Sequence, residues 1–451
     1  MTEHERRGVS FGTVLMLMIT AAVLGGMIFV LPQLMGPMDM LLTEHAMRAT
    51  ANLNDSLPEL RIAEIPVTST THIPEPTEEP QPTATQILAA VPTIAPTKLP
   101  VQGGSLTMTF GGSICMDKYA RQSGYYPDTE KYDFTDNLSL IASEMNSDLT
   151  MVTLESITDP SGNVRQQPNT PHEVMDMLAS AGVDVVALGY NRAFERGLTG
   201  VQATVEQARK RGLETLGLYT SPEDAERIRI IPVGGVDVGF LHYSNVLTNT
   251  AKRKLNAANA AYAQPVAKDS TGAELIAADI RKARECGADI VVVSINWSGN
   301  ESIDTTKTKM KSFMQTLADA GADLIVGAGT KAVKPVSWIM GKRSDGSNRQ
   351  TLCAWSLGSL FTGDRSNDSV TGMLLHLQLS WDGNAVSFER VTYTPTYIWR
   401  FKPDSYYRYR VVASDVPAPD GMDESQASNA ERAFERLKKT LGDSPVNLRT
   451  K

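Results

Sequence analysis

Residues 183–200 read VDVVALGYNRAFERGLTG, and this stretch decides how the rest of the chain is read. Val185 to Leu188 is a short, wholly apolar run, the pattern of a strand buried on both faces of a sheet. A Gly-Tyr-Asn-Arg turn follows, and Gly197, Gly200, Val201, Val205 and Ala208 then lie on an amphipathic run that predicts a helix. A strand, a glycine-containing turn and a helix make the unit from which open α/β sheets are built. Such sheets carry their chemistry at the carboxyl ends of the strands, here at Asn191 and Arg192.

Alternation of this kind continues outward in both directions. Strands are expected at 105–110, 149–154, 236–243, 289–294 and 323–326, and helices at 273–286 and 309–320. Asp136 is expected to cap a helix running to Met145. Thr170-Pro171 and Ser221-Pro222 each read as an N-cap followed by proline at the first helical position. Met373 to Trp381 and Ala385 to Tyr393, joined by Asp382-Gly383-Asn384, form a hairpin signal, and 424–441 predicts a charged terminal surface helix. The pattern is that of a layered α/β fold.

The chain has 451 residues and a net charge of −8, with no basic block, which argues against a nucleic-acid partner. Its three cysteines, Cys115, Cys286 and Cys353, show no C-x-x-C spacing and read as small buried hydrophobes. There are six histidines, and His4, His45 and His72 lie in the N-terminal region. His172, His242 and His376 remain for the folded part; the first is expected at the surface, the other two as satisfied strand residues. No G-x-S-x-G turn supports a hydrolytic triad.

From Phe11 to Leu31 the chain carries no charge, enough to cross a hydrocarbon core of about 30 Å as a helix. Arg6 and Arg7 precede it, so residues 1–10 are expected in the cytoplasm and the bulk of the chain outside. A cleaved signal peptide is the competing reading, but Ala49-Thr50-Ala51 lies far downstream of the apolar run. Residues 32–103 become a Pro/Thr-rich linker, expected as an extended stalk. At about 3.1 Å per residue, a segment of about 40 residues in its proline-rich part, from about Leu53 to Gly103, would reach on the order of 100 Å. The folded α/β domain is expected over 104–415, with 416–451 as a charged helix and tail.

The central stretch resembles the ANNHALDYGEEG segment of the CapA family, the poly-γ-glutamate and capsule-synthesis proteins related to calcineurin-like metallophosphoesterases. The resemblance spans roughly 105 to 400 in family order. It implies a layered α/β sandwich of the metallophosphoesterase type and a dinuclear metal site. It also locates the differences. Ser113, after Phe110-Gly111-Gly112, stands where the family has aspartate, with Asp117 the nearest substitute. Glu155 keeps the carboxylate of the Asn-Leu-Glu motif, and Asn191 is kept, while Arg192 replaces histidine and Glu195 replaces aspartate. Asn296-Trp297-Ser298-Gly299 stands for His-Trp-Gly, with Asn300 and Glu301 where a glutamate is expected, and Ala328 and Lys331 fall at two further histidine positions. Trp355 to Leu360 matches a Tyr-Ser-Leu-Gly-Asn-Phe segment. Glycines and strands survive, while one aspartate and four histidines of the ligand type are replaced, at Ser113, Arg192, Asn296, Ala328 and Lys331.

Two readings follow. One is a membrane-tethered, non-catalytic CapA-like domain with no metal or other cofactor and no catalytic residue. It would bind an anionic surface polymer or envelope synthesis proteins. The other is a hydrolase or amide-forming enzyme with a reduced site at Glu155, Asn191 and Asn296. In the first, Ser113, Glu155, Asn191, Arg192, Asn296, Trp297, Ala328 and Lys331 line a degenerate pocket. Arg192 is expected to pair with Glu155 in place of the cation, and Arg192 and Lys331 are the candidate anion-binding groups.

Overall fold

The structure, a computed structural model, describes residues 104–160, 162–263, 265–297, 303–342, 346–383 and 385–449. The expected N-terminal helix and stalk, and Ser298 to Glu301, lie outside the described residues.

Two sheets are layered face to face. The first runs in the order β16 (Arg408–Ala413), β15 (Val386–Phe401), β14 (Thr371–Trp381), β1 (Gly104–Cys115), β4 (Leu149–Leu154), β5 (Val185–Ala187) and β6 (Glu214–Leu216). β13 (Ser359–Thr362) pairs with the end of β1, and β17 (Asn447–Leu448) with β15. The second sheet runs β11 (Val333–Lys342), β12 (Asn348–Leu357), β10 (Leu324–Ala328), β9 (Ile290–Asn296), β8 (Val236–Ser244) and β7 (Arg229–Val233). A small ribbon, β2 (Tyr125–Tyr126) with β3 (Lys131–Tyr132), stands apart. β1, β4, β5 and β6 are mutually parallel, as are β8, β9, β10 and β12.

Period-2 alternation explains the layering. Leu106, Met108, Phe110 and Val185 of the first sheet share one core with Ile290, Val292 and Leu324 of the second. Val186 and Leu188 point to the opposite face of their sheet, where α2 (Val174–Ser180) and α3 (Gly197–Arg209) pack. Val291, Val293 and Ile295 likewise meet α6 (Ser270–Glu285) and α7 (Thr308–Ala320). The result is an α/β/β/α sandwich, so the expected layered α/β architecture holds. α8 (Glu424–Leu441), opened by a capping box between Asp423 and Gln426, buries Ala430, Ala433, Leu437 and Leu441 at helical spacing.

Some expectations need correction. Asp136 does not cap an α-helix. The segment forms 3-10 turns at Thr135–Asn137 and Ser139–Met145, and the Asp136 carboxylate instead accepts from Arg410 Nε at 2.8 Å. Thr170 does not cap a helix either: its hydroxyl is buried without a partner among the described residues, its N–H donates to Ile157 O at 2.8 Å, and α2 begins at Val174. Ser221 does cap its short helix α4 (Pro222–Glu226), accepting from Asp224 N at 3.1 Å. Of the cysteines, Cys353 is buried, Cys115 half-buried and Cys286 exposed, and all three are free thiols.

One buried histidine ties the sheets together. His242, on β8, donates from Nε2 to Gly189 O (2.8 Å), at the end of β5 in the other sheet, and its Nδ1 meets Ser294 Oγ at 2.9 Å. A carbonyl only accepts, so Nε2 carries the proton. The ring fits because Gly189 and Gly217 have no Cβ; one added there would fall 2.9 and 2.3 Å from it. Burial lowers the His242 pKa to about 4, and burial also lowers that of His376, bonded to Thr109 and Thr394, to about 4.

Both folded pKa values lie below the ordinary histidine value of about 6.5. The unfolded chain therefore takes up protons first as pH falls, so stability is full above about 6.5 and is lost between about 6.5 and 4. The urea midpoint is expected to fall across that window. His242→Gln should flatten the fall, removing a pH-dependent contribution of roughly 3 kcal/mol. An equally steep profile in His242→Gln would contradict this assignment.

Candidate functional site

The carboxyl ends of β1, β4 and β5 meet those of β9 and β10 across the seam between the sheets. β1 reaches the seam through Gly111 and Gly112, with a shift in register between Phe110 and Ser113. Gly112 is required there: a Cβ would lie 2.1 Å from Gly358 O, in the turn between β12 and β13. That approach lets Ser113 N donate to Gly358 O at 2.9 Å and places its side chain, nearly fully buried, in the seam.

Glu155 follows β4 directly and is anchored by its own N–H, which donates to Ile114 O at 2.8 Å. Its carboxylate accepts from Asn296 Nδ2 at 2.9 Å and from the Ser113 hydroxyl. Ser113 Oγ in turn accepts from Gly329 N at 2.8 Å, just beyond β10. Asn296 is wholly buried at the end of β9, in register with Ala328 of β10. Trp297 N donates to Ala328 O at 2.8 Å, and the indole packs edge-on against Phe313 of α7, 6.0 Å between centroids. Gly327 makes this possible, since a Cβ there would fall 2.6 Å from the indole nitrogen. Burial raises the Glu155 carboxyl above its ordinary range, against the pull of Asn296, Ser113 and the Lys331 charge.

The expected Arg192–Glu155 ion pair does not form. Arg192 lies in the turn after β5, and its fork closes on Glu195 three residues on, Nε to Oε1 at 3.1 Å and Nη2 to Oε2 at 2.9 Å. Nη1 donates to Gln167 Oε1 at 3.0 Å. Glu195 also accepts from Thr248 Oγ1 at 2.7 Å, so a local turn partner already fixes it for the guanidinium. Asn191 shares that turn, its backbone carbonyl accepting from Thr248 N at 2.8 Å. Lys331 sits mostly exposed beyond β10 and pairs with Asp364. Asp117 is a structural residue. It caps α1 (Lys118–Ser123) through Tyr119 N (2.8 Å) and Ala120 N (3.1 Å), and its other oxygen accepts from Thr362 Oγ1 and Gly363 N, each at 2.8 Å.

Two further groups belong to the site. Tyr190 is buried with its hydroxyl unpartnered among the described residues, and burial holds the phenol well above its usual range. Cys115 lies within electrostatic reach of Glu155, Asp117, Lys331 and Arg192. Burial, then Glu155 and Asp117, push its thiol up to about 12, so it is no thiolate nucleophile at neutral pH. Their positions, ending β1 and following β5, were the signal available in sequence.

The family model described as bacterial capsule synthesis protein PGA_cap matches residues 107–364. The chain belongs to this family. Among curated proteins it is similar to the PGA biosynthesis protein CapA of Bacillus subtilis (strain 168), 27% identical over 191 residues, or 42% of this chain and 45% of that protein. It is also similar to the capsule biosynthesis protein CapA of Bacillus anthracis, 27% identical over 158 residues, 34% of this chain and 36% of the relative. The PGA_cap chain thus spans less than half the length of these relatives. Among solved structures it is similar to the calcineurin-like phosphoesterase YfkN from Bacillus subtilis, at 14% identity and a TM-score of 0.37 over 75% of this chain and 98% of that one. GAP50, the anchor in the inner membrane complex of Plasmodium, is similar at 12% identity and a TM-score of 0.31, over 75% and 98%.

A double-mutant cycle separates the two possible partners of Glu155. Glu155 and Asn296 should couple by about 1.5–3 kcal/mol in unfolding free energy, as a hydrogen bond to a charged group does. Glu155 and Arg192 should be additive. Strong Arg192–Glu155 coupling would reverse the assignment.

Proposed function

We propose that this PGA_cap chain is a membrane-tethered, extracytoplasmic domain that has given up metal chemistry and binds or scaffolds an anionic surface polymer or its synthesis machinery. One observation carries the reading: the Glu155 carboxylate takes its hydrogen bonds from two neutral side chains, Asn296 and Ser113.

The residues present do not fit a metal. A carboxylate at the seam facing a dication would be joined by further anionic or imidazole donors. Among the described residues no group of three or more His, Cys, Asp and Glu side chains is placed to hold one. Asn296 turns its amide NH2, which only donates, towards Glu155. Arg192 and Lys331 have no lone pair while charged, and each is committed to a carboxylate of its own. A hydrolase or amide-forming enzyme around Glu155, Asn191 and Asn296 would have to work without these missing ligands.

Supporting the role are the names of the two Bacillus relatives, which tie them to PGA and capsule biosynthesis. Supporting the location are the uncharged run 11–31 behind Arg6 and Arg7 and the proline-rich stretch after it. Among the described residues no helix is long and apolar enough to cross a membrane. The full chain purified in detergent is expected to carry only substoichiometric transition metal and to show background phosphodiesterase and phosphomonoesterase activity with added Mn²⁺, Zn²⁺ or Fe²⁺. Metal-dependent turnover abolished by Glu155→Ala would establish the enzyme instead.

A further inference from the structure

The two cations first expected to attract an anion are both neutralised by local carboxylates, but the protein carries a second cationic group that is not. Beside the seam, a cavity of about 310 Å³ is lined by Lys118, Arg121, Gln122, Tyr125, Tyr132, Arg165 and Tyr406. The lining holds three cations, three tyrosines and no carboxylate. The volume matches one ring-sized unit, at the lower end of the usual range for ligand pockets.

The site is built rather than incidental. Arg121 is 4% exposed, donates from Nη1 to Met116 O and from Nη2 to Arg165 O (3.0 Å), and keeps a buried Nε without a partner among the described residues. An unsatisfied buried guanidinium N–H is costly, so the charge at this position is held against a penalty. The nearest carboxylate, Asp117, already accepts four hydrogen bonds. The guanidinium of Arg165 lies over the Tyr125 ring at 5.9 Å, and Tyr125 and Tyr132 stand 5.1 Å apart at 49°, giving the cavity angled aromatic walls.

Those walls are braced from behind. Arg408, itself buried, donates from Nη1 to Ser123 O (2.6 Å) and Tyr125 O (2.9 Å) and from Nη2 to Asp404 (2.9 Å). Asn137 Nδ2 adds Ser123 Oγ at 3.2 Å and Tyr409 O at 2.5 Å. Gly124 leaves room for Phe134, whose ring a Cβ would meet at 2.3 Å. A pocket held this firmly loses little entropy on binding.

We propose that this pocket binds a carboxylate-bearing sugar ring of an anionic polysaccharide. The carboxylate meets Arg121, Arg165 and Lys118, and the ring faces lie on the tyrosines. The chemistry selects this class. A bare phosphate would leave the aromatic walls unused, and a flexible glutamyl chain offers neither a flat face nor hydroxyls for the phenols and Gln122. The inference deepens the polymer-binding reading by naming a ligand and its site.

Calorimetry on the full chain in detergent, with short polyglucuronate as probe, tests it. Binding should be salt-sensitive, absent with neutral glucose oligomers, and about tenfold weaker in Arg165→Gln and in Tyr406→Ala, two exposed positions where folding is not at stake. Arg121→Gln, which loses the buried bonds to Met116 O and Arg165 O, should abolish binding and lower the melting temperature, so the two exposed variants decide the outcome. Equal binding of neutral glucose oligomers, tighter binding of oligoglutamate or inorganic phosphate, no binding, or indifference to Arg165→Gln would each overturn the pocket assignment. Oligoglutamate binding unaffected by these variants would sink the pocket while leaving the wider polymer-binding reading standing. Metal-dependent turnover would do the reverse.

Discussion

A carboxylate lodged at the seam between two sheets, with neutral donors from both of them, constrains the rest of this site. Glu155 comes from the first sheet and Asn296 from the second, while Ser113 links Glu155 to Gly329 beyond β10. A buried carboxylate without a cation needs every hydrogen bond it can collect. The strands carrying these donors must therefore end at the same level. Gly112, Gly327 and Gly358 serve that requirement by allowing backbones to approach where any side chain would collide. His242 repeats the same device further along, crossing the interface through the space left by Gly189 and Gly217.

Charge is handled locally around this neutral knot. Arg192 is held by Glu195 within one turn, while Lys331 is held by Asp364 and Arg196 by Asp159 at 2.8 Å from neighbouring loops. Electrostatic influence reaches Cys115 and Tyr190, yet among the described residues no cation donates to Glu155. The cations left without an acid among the cavity-lining residues are those on α1 and the 165 loop, in the aromatic pocket beside the seam.

The layered α/β architecture was legible because buried parallel strands announce themselves as apolar runs. Leu149 to Leu154 and Ile290 to Ile295 were read almost to the residue. β11 and β12 were not among the expected strands; Pro335 is compatible with the edge position of β11. The site was half legible. Ser113, Glu155 and Asn296 could be brought together by family order, because each stands at the carboxyl end of a parallel strand and those ends face one another across the two sheets. The partner of Arg192 could not, since a turn three residues long decides it, and its geometry is not a periodic feature. The pocket at Arg121 was invisible for a related reason. Its walls come from α1, the β2–β3 ribbon and two loops far apart in sequence.

The state of the Glu155 carboxylate tests the account most directly. With the glutamate side chains carrying a ¹³C label and Glu155 assigned by Glu155→Gln, the carboxyl carbon can be titrated by NMR in the full chain. The account predicts a midpoint raised above the ordinary glutamate range of about 4.3 by burial, unchanged in Arg192→Gln and unmoved by Zn²⁺. A depressed midpoint, or a resonance that shifts stoichiometrically on adding Zn²⁺, would show that a cation holds this carboxylate after all.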